Sequence, residues 1–230
     1  MTRQALKHSL LLQLSIIYTR YLVGSAFVFA SLIKIKGHRF TQMADEAGGH
    51  SPGHFFEMMY QSGLYWQFLG VAQLLAGLLL LTQRYALLGA LAYVAIMANI
   101  FVITISFDFP GTPVITGLML LAGLLLLAWD WNRLRVVINL PVVPETTSPL
   151  FGSWLWEVVG TVLFAFTAGY RAYTDGYDLL LWLGGCVLVG AVGLLAAAWQ
   201  RRKSPKGSAA KVCAVETQNP AEVLNLAPQP

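Results

Sequence analysis

The chain has 230 residues, 57% of them hydrophobic and only 11% charged, with a formal net charge of +4. Ordinary soluble domains carry about 25% charged residues, so a water-soluble domain and a nucleic-acid partner are excluded. The mean hydropathy of +0.62 points to an integral, all-α membrane protein in contact with the lipid bilayer.

Apolar runs of roughly 17–25 residues define membrane spans. They predict six helices, at about 12–33, 65–82, 86–107, 113–130, 154–172 and 179–199. The first carries Arg20 inside its apolar run, with Lys34, Lys36 and Arg39 at its far end. A charge near the centre of a spanning helix costs ~2.5–3.5 kcal/mol or more, so it normally faces protein or water. Steps of three and four residues from Arg20 reach Gly24, Phe27, Ser31 and Lys34, one stripe that should point into a bundle. Arg20 and Lys34 are then about 21 Å apart at 1.5 Å per residue, and the spacing predicts that they mark two ends of a shared polar interior. Val28-Phe29-Ala30 resembles a signal-peptide cleavage site, but Arg20 interrupts the apolar region such a peptide needs. The helix is expected to remain uncleaved.

A long loop follows to about Leu64. Ser51-Pro52 reads as an N-cap and a first helical position, and His54 to Tyr60 as a short interfacial helix on the bundle mouth. The second span holds Gln67, Gly70, Gln73 and Gly77; small residues let membrane helices approach closely, and glutamine bonds between them. Only a few residues around Gln83-Arg84 separate it from the third span, which predicts a tight hairpin. The third span carries Asn99 and Thr104 and ends near Asp108. Thr112-Pro113 opens the fourth, which ends at Trp129-Asp130-Trp131. Residues 139–153 hold Pro141, Pro144 and Pro149, which no continuous helix tolerates, and read as a linker. The pair 154–200 carries Glu157 and Arg171. The basic tail 201–230 reads as disordered.

Lys and Arg counts set the orientation. With the N-terminus inside, the inner side collects ten (Arg3, Lys7, Arg84, Arg133, Arg135, Arg201, Arg202, Lys203, Lys206, Lys211) and the outer side four (Lys34, Lys36, Arg39, Arg171). Both termini are therefore expected to be cytoplasmic.

No catalytic residue stands out. Cys186 and Cys213 are too far apart for a dithiol motif. Among His8, His38, His50 and His54 none lies in a span to ligate haem. His50 and His54 have metal-ligand spacing, but Pro52 separates them and no further ligand completes a set, so no metal is expected. The ligand-binding candidates are Arg20, Lys34, Lys36, Arg39, Gln67, Gln73, Asn99 and Asp108. Arg20 either holds an anionic or carbonyl group or forms a structural ion pair with Asp130 or Glu157. Lys34, Lys36 and Arg39, over Glu57 and Asp108, either receive a small anion or snorkel to the interface.

Arg20-Tyr-Leu-Val-Gly24, Lys34-Ile-Lys-Gly-His-Arg-Phe-Thr41, Gly63-Leu-Tyr-Trp-Gln-Phe-Leu-Gly70, Gln73-Leu-Leu-Ala-Gly77, Leu81-Thr-Gln-Arg84, Asn99-Ile-Phe-Val-Ile-Thr104 and Trp129-Asp-Trp-Asn132 together resemble DoxX-like membrane proteins. The likeness covers about residues 16–138. It implies a four-helix transmembrane core over 1–138, to which the pair 154–200 is an addition. It also implies a bacterial inner-membrane accessory subunit of a quinone-linked redox complex, with quinone or a small anion as ligand and redox subunits as partners. Two readings from other classes stand beside it: a non-redox carrier of a lipid or small metabolite, and a membrane scaffold. Oligomeric state is not encoded legibly.

Overall fold

The computed structural model describes residues 9–39, 51–137, 139–141, 153–175 and 178–203. Among them are eight helices and no strand: α1 (Leu10–Ile35), α2 (Pro52–Gln61), α3 (Leu64–Leu81), α4 (Ala86–Ser106), α5 (Thr112–Trp129), α6 (Trp131–Val137), α7 (Trp154–Tyr173) and α8 (Leu179–Lys203). Five of them, α1, α3, α4, α5 and the apolar part of α8, are long and apolar enough to cross a membrane. The expected span at 154–172 forms as α7 but is not one of the five. Its 20 residues include Glu157 and Arg171, which lower its hydropathy. Most of the expected linker and the tail beyond Lys203 lie outside the described residues.

Local signals account for the helix ends. α1 stops where Gly37 turns to φ +69°. There the His38 N–H donates to Ile33 O at 3.0 Å and the Gly37 N–H to Lys34 O at 3.0 Å, the paired bonds of a Schellman cap. Ser51 caps α2 by accepting from the His54 N–H at 3.2 Å, with Pro52 at the first position.

The chain up to Ala191 forms one compact unit, in which α1 packs against α3, α5 and α7. Two glycines bring α3 close: a Cβ on Gly77 would stand 2.7 Å from Gly24 O, and one on Gly70 2.8 Å from Ser31 O. On one side of α1 lies an apolar core of Val23, Phe27, Ala76, Leu80, Tyr93, Met97 and Leu126. On another side α7 docks through the Tyr21 hydroxyl, which donates to Trp156 O at 2.5 Å. The sequence reads 154–200 as an addition; α7 lies directly on the helix at the centre of that core. From Val192 the described chain is the remainder of α8, an apolar helix with Arg201-Arg202-Lys203 at its end.

Candidate functional site

All five members of the predicted stripe, Arg20, Gly24, Phe27, Ser31 and Lys34, are buried. They do not line one continuous polar interior. Phe27 packs on Tyr93 with ring centroids 4.3 Å apart, so apolar core lies between the two cations. The polar groups instead gather in two places.

The first is a node around Arg20, which is 1% exposed. Its Nη2 donates to Asp130 Oδ2 at 2.5 Å and its Nη1 to Gln83 Oε1 at 3.0 Å. The partners come from different corners: Gln83 from the α3–α4 turn, Asp130 from the residue between α5 and α6. One guanidinium therefore holds α1 and both corners together, which suits its forked, rigid donors. Of the two anions the sequence offers to Arg20, the structure selects Asp130. Glu157 is half-buried in the first turn of α7 and, among the described residues, makes no ion pair with Arg20.

Gln83 was not foreseen. It reads as a turn residue, and only its left-handed backbone, φ +57°, aims it inward.

The second place is the far end of α1. Lys34 is 6% exposed, with Nζ donating to Ala30 O at 2.8 Å and lying 5.4 Å from the Trp66 ring centre. The Trp66 indole N–H donates to His38 O at 3.0 Å. Lys36 turns toward α7, donating to Ala172 O at 2.8 Å and to Asp175 Oδ1 at 2.9 Å. That hydrogen bond holds the Asp175 carboxyl below its ordinary value. Arg39 grips both Glu57 oxygens at 2.8 Å and stacks 4.6 Å from the Tyr60 ring. Hydrogen bonds from Arg39 and then Gln61 pull the Glu57 carboxyl down to about 2. The three cations thus serve separate partners instead of forming one anion receptor.

Three candidates lie away from the interior. Gln67 follows buried Trp66 and is exposed; Asn99, two residues from buried Met97, is turned about 200° from it at 100° per residue and is exposed. Asp108 is exposed beyond the end of α4, with φ +47°. Thr104 is buried and bonds Thr116 at 3.0 Å, tying α4 to α5.

Gln73 behaves differently. It is 5% exposed on the α3 face that carries Gly70 and Gly77, and its Oε1 has no hydrogen-bond partner. A buried acceptor left unmade costs roughly 1–3 kcal/mol. Facing Gly70, one turn away on α3, are Ser31 and Lys34 of α1.

Among the described residues, no group of three or more His, Cys, Asp or Glu is placed to hold a metal, and His50 lies outside them. No family model matches the chain, and no curated protein or solved structure matches it.

Proposed function

We propose that this chain is a DoxX-like protein of the bacterial cytoplasmic membrane with both termini inside. In this reading it is an accessory subunit of a quinone-linked redox complex, binding quinone or a small anion between its helices. The pair α7–α8 is an addition to a four-helix core. The redox partner rests on the sequence resemblance; the ligand rests on Gln73. A buried carboxamide offers both halves of a redox couple a partner. Its Oε1 accepts from the hydroxyl of a quinol, and its Nε2 donates to the carbonyl of a quinone. Lys34 stands about one turn of α3 farther out and Trp66 about two, where an aromatic or anionic head group would enter. Arg20, committed to Asp130 and Gln83, is structural in this reading.

The test is purification of the wild-type chain and a Gln73→Leu variant from native membranes in mild detergent, followed by mass spectrometry of co-purifying proteins, quinones and lipids. Expected is a quinone and a redox subunit with the wild type, and loss of the quinone from the folded variant. Phospholipid alone with the wild type would overturn this reading in favour of a carrier.

A further inference from the structure

At the Arg20 node the Gln83 carboxamide is only half used. Arg20 Nη1 fixes the Gln83 amide with Oε1 toward the guanidinium, so Nε2 is directed away from it. That nitrogen is buried and has no hydrogen-bond partner, in a residue 6% exposed. Gln83 also holds φ +57°, a left-handed conformation that glycine adopts freely and glutamine does not. A glycine here would relieve the backbone, and a leucine would leave no orphaned donor. Either change would also remove the acceptor that Arg20 Nη1 uses, so the glutamine is accounted for by its oxygen. What the fold does not use is Nε2, and that orphaned donor points to a ligand with an acceptor oxygen.

The exposed charge around it has one sign. Arg84 follows Gln83 directly and is exposed, its guanidinium 5.7 Å from the Tyr85 ring centre. Arg133 is exposed on the neighbouring corner, its backbone N–H donating to Asp130 O at 2.9 Å. Gln83 and Asp130 bond the same guanidinium, so the two corners lie side by side. Asp130 is the carboxylate at this corner, and Arg20 already pairs with it. What remains is two exposed arginines on the two corners that Arg20 joins, and one buried amide donor on the first of them. Guanidinium forks match phosphate oxygens in bidentate geometry, and the amide adds a neutral donor of fixed direction. Tyr85 and Trp131 are exposed at the same corners, as amphipathic rings are at the boundary of bilayer and water.

We infer that Gln83, Arg84 and Arg133 form a phosphate site at this boundary, occupied by the headgroup of an anionic phospholipid or by free inorganic phosphate. It lies at the opposite end of the α1 stripe from Lys34 and stands independently of the redox reading.

The experiment uses the full chain, a Gln83→Glu variant and an Arg84→Ala/Arg133→Ala double variant. Gln83→Glu keeps an acceptor for Arg20 but replaces the free donor with negative charge. Each is placed in discs of mixed phosphatidylglycerol and phosphatidylcholine; retained lipid is counted by native mass spectrometry. Melting is followed separately with inorganic phosphate. The wild type is expected to retain phosphatidylglycerol selectively, and both variants to lose about tenfold in that selectivity, as when hydrogen bonds to a charged group are removed. A phosphate-dependent rise in melting temperature without lipid selectivity, abolished in the variants, supports the same site with the free ion as its occupant. Neither response in the wild type, or equal retention by all three proteins, overturns the inference. Should Gln83→Glu fail to fold, the double variant, which trims only exposed side chains, still decides.

Discussion

Arg20 and Lys34 lie fourteen residues apart on one stripe of α1, and burial treats them alike, at 1% and 6% exposed. Their bonding differs. Arg20 reaches out of its helix to a turn and a corner distant in sequence. Lys34 donates to a carbonyl one turn back on its own helix and faces an indole ring. A guanidinium has five donors in a planar fork, whereas an ammonium is a compact point charge on a flexible stem. At the Arg20 end one buried side chain joins three segments of chain. At the Lys34 end, joining α1 to α2 and α7 falls in part to bridges nearer water, Arg39 to Glu57 and Lys36 to Asp175. One helix therefore has its charged tie buried at one end. At the other its carboxylate bridges are solvent-screened, and the buried contact to α7 is the Arg171 guanidinium over the Phe29 ring, 4.4 Å from its centre.

Breaking the deep tie should have the largest effect. Asp130→Ala takes the carboxylate from buried Arg20, and removing one partner of a buried ion pair costs roughly 3–5 kcal/mol. Arg20→Met should cost less, because the more deeply buried of the two charges leaves with its side chain, while the Asp130 carboxylate it leaves behind is 10% exposed against 1% for Arg20. Pairing the two changes should recover most of the Asp130→Ala loss. Thermal unfolding in detergent checks the order; equal losses from the two single variants would show that the node works by packing and not by charge.

Between the two ends runs the glycine seam, which marks how far the sequence could be read. The spacing of Arg20, Gly24, Phe27, Ser31 and Lys34 identified the buried stripe because helical period alone decides which residues share a face. Ser51-Pro52 likewise identified the start of α2, since capping is local chemistry. Gln83, Asn99 and α7 were not legible in the same way. The direction of Gln83 depends on one positive φ. Asn99 was judged by polarity, although its angle from Met97 sets it outside the core. The docking of α7 on α1 depends on Tyr21 and Trp156, distant in sequence and unremarkable as types. Helix register against helix is tertiary information, and in the seam it is held by Gly24 and Gly77. Gly77→Val should destabilise by roughly 1–3 kcal/mol through overpacking, since its Cβ would meet Gly24 O at 2.7 Å. Gly169→Ala, where a Cβ meets nothing within 4 Å, is the control and should melt like the wild type.

The smallest effect belongs to the exposed end, and its pH dependence sharpens the contrast. Arg39 holds the Glu57 carboxyl down at about 2, below its ordinary value near ~4.3. A carboxylate depressed on folding contributes its stability above the ordinary value and loses it as pH falls through the folded one. The attachment of α2 through this bridge should therefore be constant from pH 8 to about 5 and weaken only between about 4 and 2. Arg39 and Glu57 exchange with solvent water, so added salt should weaken the bridge as well. Spin labels on Met58→Cys of α2 and Ser106→Cys of α4, both exposed, report the separation of the two helices. Glu57→Gln should give at neutral pH the broadened distances that the unaltered bridge gives only in acid. The aromatic contacts of Phe55 with Phe107 and Phe56 with Phe109 remain in both cases, so the change should be partial. A transition between pH 6 and 7 would assign the hold on α2 to a group other than Glu57, and with it the distinction drawn between the two ends of α1.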